Sequence, residues 1–219
     1  MDRKIKKVAI VGIVGLPAKY GGFETLVENL TEQLHREFEV TVYCQNTIKK
    51  DQLKKYNGVT LEYLPFKANG LQSIIYDITA ITKSWFKFDA ILILGTPGSI
   101  ILPFLKLFRK TKTVINFGGL EWKRDKWNKL VLKYLKLTES IAIKHATTII
   151  ADNQYFCDYI KDNYNKESYL IEYGGDHVIK QISNHNDLAK KYPFVTSPYH
   201  ISVSRAQPDN NLHLLLDVY

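Results

Sequence analysis

The chain has 219 residues, of which 45% are hydrophobic, a net charge of +8 and two cysteines. Length and apolar content suit one large or two small globular domains with a sizeable core and exclude a disordered chain. No apolar run reaches the ~18 residues of a membrane-spanning helix, and Cys44 and Cys157 form no metal or redox motif and fit a reducing cytoplasm.

The first predicted element is a strand at Val8–Val11. Arg3, Lys4, Lys6 and Lys7 precede it, and basic residues before an apolar run invite a signal-peptide reading. The run is β-branched, short and broken by Gly12 and Gly15, and the amphipathic helix expected at 23–37 needs it as the buried strand alongside. Between strand and helix lies Gly12-Ile13-Val14-Gly15-Leu16-Pro17-Ala18-Lys19-Tyr20-Gly21-Gly22. Gly21 and Gly22 lack a Cβ and admit positive φ, so backbone N–H groups at the helix start can point at an anion, where the helix dipole adds about half a positive charge. Gly12-x-x-Gly15 is not the dinucleotide fingerprint G-x-G-x-x-G, and no Gly-Lys-Ser/Thr follows to make a P-loop. The alternative is a flexible connection without a ligand.

Short runs rich in Val and Ile follow at Glu39–Cys44, Val59–Leu64, Ala90–Leu94, Thr113–Phe117, Thr147–Ala151 and Ser168–Ile171. They alternate with helical patterns near 72–87, 98–109, 125–145 and 153–164. Such alternation means a parallel sheet covered on both faces, so the expected fold class is α/β, a Rossmann-like doubly wound parallel sheet. Gly95-Thr96-Pro97-Gly98 stops one strand, and Ser99 is placed to cap the next helix. Open parallel sheets bind ligands at the carboxyl ends of their strands, which makes the loops at 12–22, 95–99, 117–123, 152–153 and 173–177 the candidate site.

From Leu105 to His145, eleven Lys and Arg residues stand against three acids. Lys126, Lys129, Lys133 and Lys136 recur at helical spacing, with Trp127, Leu130, Val131, Tyr134, Leu137 and Ile141 on the face expected to pack. The stripe is either a solvated face or a surface drawn to an anionic membrane or a polyanionic substrate. Nucleic acid is not expected as a partner, because no RNA-recognition motif, zinc pattern or helix-turn-helix occurs.

Residues 184–198 are polar, contain Pro193 and Pro198, and read as a linker between a domain at 1–183 and the start of another at 199–219. His200 to Tyr219 reads as strand, turn and helix. One βα unit cannot bury its own apolar face, so the chain is read as a fragment of a two-domain protein.

Five segments occur in order: Gly15-Leu16-Pro17-Ala18-Lys19-Tyr20-Gly21-Gly22-Phe23-Glu24-Thr25, Gly119-Leu120-Glu121-Trp122-Lys123-Arg124-x-Lys126-Trp127, Ala151-Asp152-Asn153, Tyr173-Gly174-Gly175-Asp176 and Arg205-x-x-Pro208-x-Asn210-Asn211. Together they resemble the rhamnosyltransferase branch of retaining glycosyltransferase family 4, over residues 7–219. The resemblance implies the N-terminal, acceptor-side half of a GT-B glycosyltransferase with the start of a truncated donor-binding domain. It further implies transfer of L-rhamnose from dTDP-L-rhamnose to a lipid-linked glycan acceptor, in cell-surface polysaccharide or capsule biosynthesis. The enzyme would be cytoplasmic and peripherally bound at the inner face of the cell membrane.

Carried over residue by residue, the resemblance makes Gly21 and Gly22 the loop that approaches the donor diphosphate, with Arg205 a cationic contact to it. Asn210 stands where a lysine is frequent in the broader family, which removes a charge. Phe117 lies where an aspartate is expected nearby. Glu24, Gly118, Gly119 and Trp122 fall on the acceptor side, and Glu121 is the leading candidate for the catalytic polar contact to the acceptor hydroxyl.

Diphosphate departure can be stabilised by backbone amides and cationic side chains. No H-x-H, D-x-D or clustered Cys/His set occurs, so neither metal nor cofactor is expected. Alternatives stay open at single residues. Glu121 also reads as a capping or salt-bridging acid beside Lys123 and Arg124. Trp122 either stacks on a sugar or wedges its loop into the core. Asp152 and Asn153 begin a helix and read as caps, and Gly174, Gly175 and Asp176 as hinge or site. Glu24 and Glu121 as a hydrolytic pair find little support, and no G-x-S-x-G motif or Cys/His pairing appears. The non-enzyme alternative is an anion-binding or membrane-surface module, separated from a transferase by the latter's dependence on a sugar nucleotide.

Overall fold

The β-branched run after the basic N-terminal residues forms β1 (Lys6–Val11), at the centre of the sheet. The computed structural model describes residues 5–19, 21–46, 52–109, 111–124, 127–175, 185–204 and 210–218. Among them β2 (Phe38–Gln45), β3 (Lys55–Tyr56), β4 (Val59–Leu64), β5 (Ala90–Leu94), β6 (Lys112–Phe117), β7 (Thr148–Ala151) and β8 (Tyr169–Leu170) join β1 in one sheet of order β3-β4-β2-β1-β5-β6-β7-β8. All neighbours pair in parallel except β3 with β4. The β3–β4 hairpin turns at Asn57-Gly58, both at positive φ, the pair that a two-residue type I′ turn favours. It went unread in the sequence.

Helix α1 (Gly22–Leu34) buries Val27 against Ile10, Val42 and Val59 on one sheet face. On the other face, α2 (Gln72–Trp85), α3 (Leu102–Leu105) and α4 (Lys129–His145) bury Tyr76, Trp85, Leu105 and Ala142 against Ala9, Val11, Ile91 and Ile115. Helix α5 (Gln154–Tyr164) closes a third cluster through Ile160. Trp85 is fully buried, a gain of about 3 kcal/mol. Its indole N–H donates to the Arg109 carbonyl at 3.0 Å, and Thr111 Oγ1 donates to the Trp85 carbonyl at 2.7 Å.

Three local expectations change. The helix expected over 98–109 is a 3-10 turn at Pro97–Ile101 followed by the single turn of α3, whose start accommodates Pro103. Ser99 caps nothing, because it lies inside the 3-10 turn with Oγ buried and unpartnered. In α4 the buried face is Leu135, Thr138, Glu139, Ala142 and Ile143, while Leu130 and Leu137, expected to pack, are 78% and 52% exposed.

The described residues divide into two compact units, one holding all those up to Tyr173 except Arg124, the other Arg124 and residues from Gly174 onward. In the second, α6 (His185–Lys191) and a 3-10 turn at Pro193–Thr196 occupy the stretch read as a linker. Residues His200–Ser204 form no strand, and α7 (Leu212–Val218) supplies the expected helix. No helix among the described residues is long and apolar enough to cross a membrane.

Tyr76 links the core to the loop above it: its buried hydroxyl lies 2.9 Å from the Ile13 carbonyl and 2.8 Å from the Tyr43 carbonyl. Tyr76→Phe leaves both without that donor. Urea unfolding of this variant should show a loss of about 1–2 kcal/mol with unchanged m.

Candidate functional site

Beyond β1 the chain must turn tightly over β5. At Gly12, φ +99, a Cβ would sit 2.3 Å from the Leu94 carbonyl oxygen, so only glycine fits. The loop is then tied to α1 by two carboxylates. Glu24 Oε1 accepts the Val14 N–H at 2.8 Å, and Glu28 Oε1 accepts the Ala18 N–H at 3.0 Å and the Tyr56 hydroxyl at 2.7 Å. Gly21 begins α1 with φ +100 and no side-chain cap. A Cβ there would fall 2.2 Å from Glu24 Oε2, whereas a Cβ on Gly22 would meet nothing within 4 Å. The helix start therefore has an open side at Gly22, where α1 offers first-turn N–H groups and the positive end of its dipole. Glu24, expected as an acceptor contact, is 7% exposed and is committed through Oε1 to its own loop.

The end of β6 comes to the same place. A Cβ on Gly118 would lie 2.8 Å from the Phe23 ring, so the loop after β6 packs directly on the first turn of α1. Gly119, φ +147, then leads into a 3-10 turn at Glu121–Lys123. Gly21, Gly22, Gly118 and Gly119 are thus brought together at the carboxyl ends of the parallel strands, the edge at which open α/β sheets bind ligands. Glu121 is half-buried at the start of that 3-10 turn.

Trp122 is anchored from beneath. Its indole N–H donates to Glu139 Oε2 at 2.7 Å, while the residue stays half-buried. Glu139 Oε1 accepts from Lys136 Nζ at 2.9 Å, Tyr159 hydroxyl at 2.7 Å and Tyr164 hydroxyl at 2.6 Å. Lys136 Nζ also lies 4.2 Å from the Trp122 ring centroid, a cation–π contact. Burial opposes the Lys136 charge, but the bonds to Tyr159 and Glu139 outweigh it and hold its pKa up. Lys136 is therefore not part of a solvated stripe.

Several polar groups at this edge escaped sequence reading. Asn116, 5% exposed at the end of β6, buries Oδ1 without a hydrogen-bond partner. The Tyr173 hydroxyl is raised by burial and by the Asp152 charge and lowered by the Asn116 amide, which puts the three side chains in one cluster. Asn153 caps α5 as expected, accepting the Phe156 N–H at 3.0 Å, and donates to Asp152 at 2.7 Å. Asp77, on the apolar face of α2 against Gly98, is 7% exposed, and burial pushes its carboxyl up to about 8. An aspartate between Tyr76 and Ala80 on a packed face was its visible signal. Asn210 belongs to the second unit, and Arg205 lies outside the described residues.

A family model described as "Domain of unknown function (DUF1972)" matches residues 5–176. No curated protein matches the sequence. Among solved structures, sucrose-phosphate synthase from Thermosynechococcus elongatus is 13% identical with a TM-score of 0.61, covering 78% of this chain and 48% of its own. HepE from Anabaena, solved with UDP and glucose, is 13% identical with a TM-score of 0.66, covering 97% of this chain and 57% of its own. The chain thus shares a Rossmann-like α/β fold with these two proteins, and it spans about half their length.

Two outcomes follow from the buried acids. Glu139→Ala strips the acceptor from four donors and leaves Lys136 half-buried and unpaired; chemical denaturation should show a loss of about 3 kcal/mol. Asp77 is protonated in the folded chain until about pH 8 but ionises near 3.8 when unfolded. Its contribution is complete below the lower value and lost as pH rises to the upper one. Asp77→Asn should flatten that slope, with a gain at pH 8 on the order of 1–3 kcal/mol in urea titrations.

Proposed function

The chain belongs to the DUF1972 family, and from that premise we propose that it forms the acceptor-side part of a GT-B glycosyltransferase acting with a nucleotide-sugar donor. The observation that carries this reading is the contact of Phe23 with Gly118. It joins an unobstructed helix start to the turn bearing Glu121, so that an anion site and a carboxylate share one edge of the sheet. HepE, with the same fold, was solved with UDP and glucose, and a diphosphate is the chemistry that the Gly21-Gly22 helix start suits.

In this reading Gly21 and Gly22 approach the donor diphosphate, with Arg205 and Asn210 contributing from a second domain. Their amides and cations stabilise the charge that develops as the sugar leaves. Glu121 contacts the acceptor hydroxyl that attacks the anomeric carbon. Gly118 and Gly119 give the acceptor room, while Glu24 and Trp122 act by holding the two loops. Asn116 Oδ1, buried without a donor, adds a seat for a sugar hydroxyl. By the resemblance of its motifs, the donor is dTDP-L-rhamnose and the acceptor a lipid-linked glycan at the cytoplasmic face of the membrane. Residues 1–183 form the acceptor domain, 184–198 the linker and 199–219 the start of the donor domain.

The deciding experiment is transfer of radiolabelled rhamnose from dTDP-L-rhamnose to a membrane lipid extract by the full-length gene product. Gly22→Val adds a side chain into open space, so it should leave the melting temperature in place while transfer falls about a hundredfold or more. Glu121→Ala should abolish transfer, and residues 1–219 alone should show no donor-dependent turnover. No transfer from this or any other sugar nucleotide would sink the reading in favour of a non-catalytic anion-binding module.

A further inference from the structure

The outward side of α4 is not the polar surface that its lysines suggest. Leu130 and Leu137 stand exposed beside exposed Lys129, Lys133 and Lys144. At 100° per residue, these five positions fall within an arc of about 100°. The α3 turn packs on α4 and extends the strip with Phe104, Leu107 and Phe108, which are 56%, 79% and 63% exposed. The Phe104 and Phe108 rings meet edge to face at 5.0 Å, forming a small apolar knob.

The charge around these tips is of one sign. Lys106, Lys144 and Lys166 all bear on His145, whose pKa is lowered by burial and then by those three cations. Among the described residues, Lys106, Lys129, Lys133, Lys144 and Lys166 form no salt bridge. The nearby acids are engaged elsewhere: Glu139 is turned inward onto Lys136, and Glu167 is held by Lys161 at 2.7 Å. Protruding apolar tips set among unpaired cations complement a diffuse anionic layer over an apolar one. A protein partner would instead have to place carboxylates opposite each lysine.

We propose that the outer face of α4 and the adjoining α3 turn dock on an anionic phospholipid bilayer, with Leu107, Phe108 and Leu137 entering the interface and the lysines drawn to headgroup charge. The surface deepens the membrane-side reading above, yet vesicle binding requires neither donor nor acceptor, and each can fail without the other.

The test is co-sedimentation of the 219-residue chain with vesicles of equal parts phosphatidylcholine and phosphatidylglycerol, against phosphatidylcholine alone. Binding should need the anionic lipid and weaken as salt rises. Lys133→Glu with Lys144→Glu should lower partitioning by about tenfold or more. Leu107→Ser with Phe108→Ser should produce a comparable loss with every lysine intact. All four side chains are exposed, so circular dichroism and the melting temperature should stay unchanged. Equal binding to both vesicle types, binding to neither, or binding untouched in both double variants overturns the proposal. A dimer by light scattering that the Leu107 and Phe108 variant dissolves would also overturn it, assigning the face to a second copy of the chain.

Discussion

The carboxylate of Glu139 holds the candidate site in place. It lies on α4, is 2% exposed, and takes donors from three directions: the indole of Trp122, the ammonium of Lys136, and two phenols from α5 and its last residue. A buried acid is costly unless it is paired and fully bonded, and here the bonds from Trp122, Tyr159 and Tyr164 tie the Glu121–Lys123 turn and α5 to α4, while Lys136 balances the charge from the same helix. The short 3-10 turn at Glu121–Lys123 has too few backbone bonds to define itself. Its direction follows from where Trp122 is pinned, so the placement of Glu121 is inherited from a carboxylate eighteen residues further along the chain.

A second set of polar bonds does the same for the loop after β1. Glycine at Gly12 lets the backbone pass against β5, and Tyr76 supports Ile13 from below. Glu24 and Glu28, from successive turns of α1, accept backbone N–H groups of the loop that would otherwise face solvent unpaired. The carboxylates stabilise the helix start through its dipole and brace the loop at once. The open side at Gly22 is the part of that start which neither of them covers.

Much of this was legible in the sequence because it rests on short-range patterns. The runs at Val8–Val11, Ala90–Leu94 and Thr113–Phe117 are β-branched and buried on both faces, and they became β1, β5 and β6. Gly21-Gly22 ahead of an amphipathic run marked the start of α1. What could not be read depends on side chains that act against their type. Glu139 made the inward face of α4 look polar, so the packed face was assigned to Leu130 and Leu137, which are exposed. Lys136 passed for a surface cation for the same reason. The unpartnered oxygen of Asn116 and the neutral acid at Asp77 arise from burial by elements remote in sequence, which no local window displays.

Cys44 lies beneath the loop that these bonds hold down. A Cβ on Gly15 would come within 3.2 Å of its sulfur, the residue is 1% exposed, and burial raises the thiol to about 11. The thiol is therefore inert toward alkylating reagents while the loop is seated, since both access and thiolate are withheld. Its rate of modification reports how often the loop lifts, and so supplies a native-state clock for the mobility of the segment between β1 and α1 that requires no engineered label.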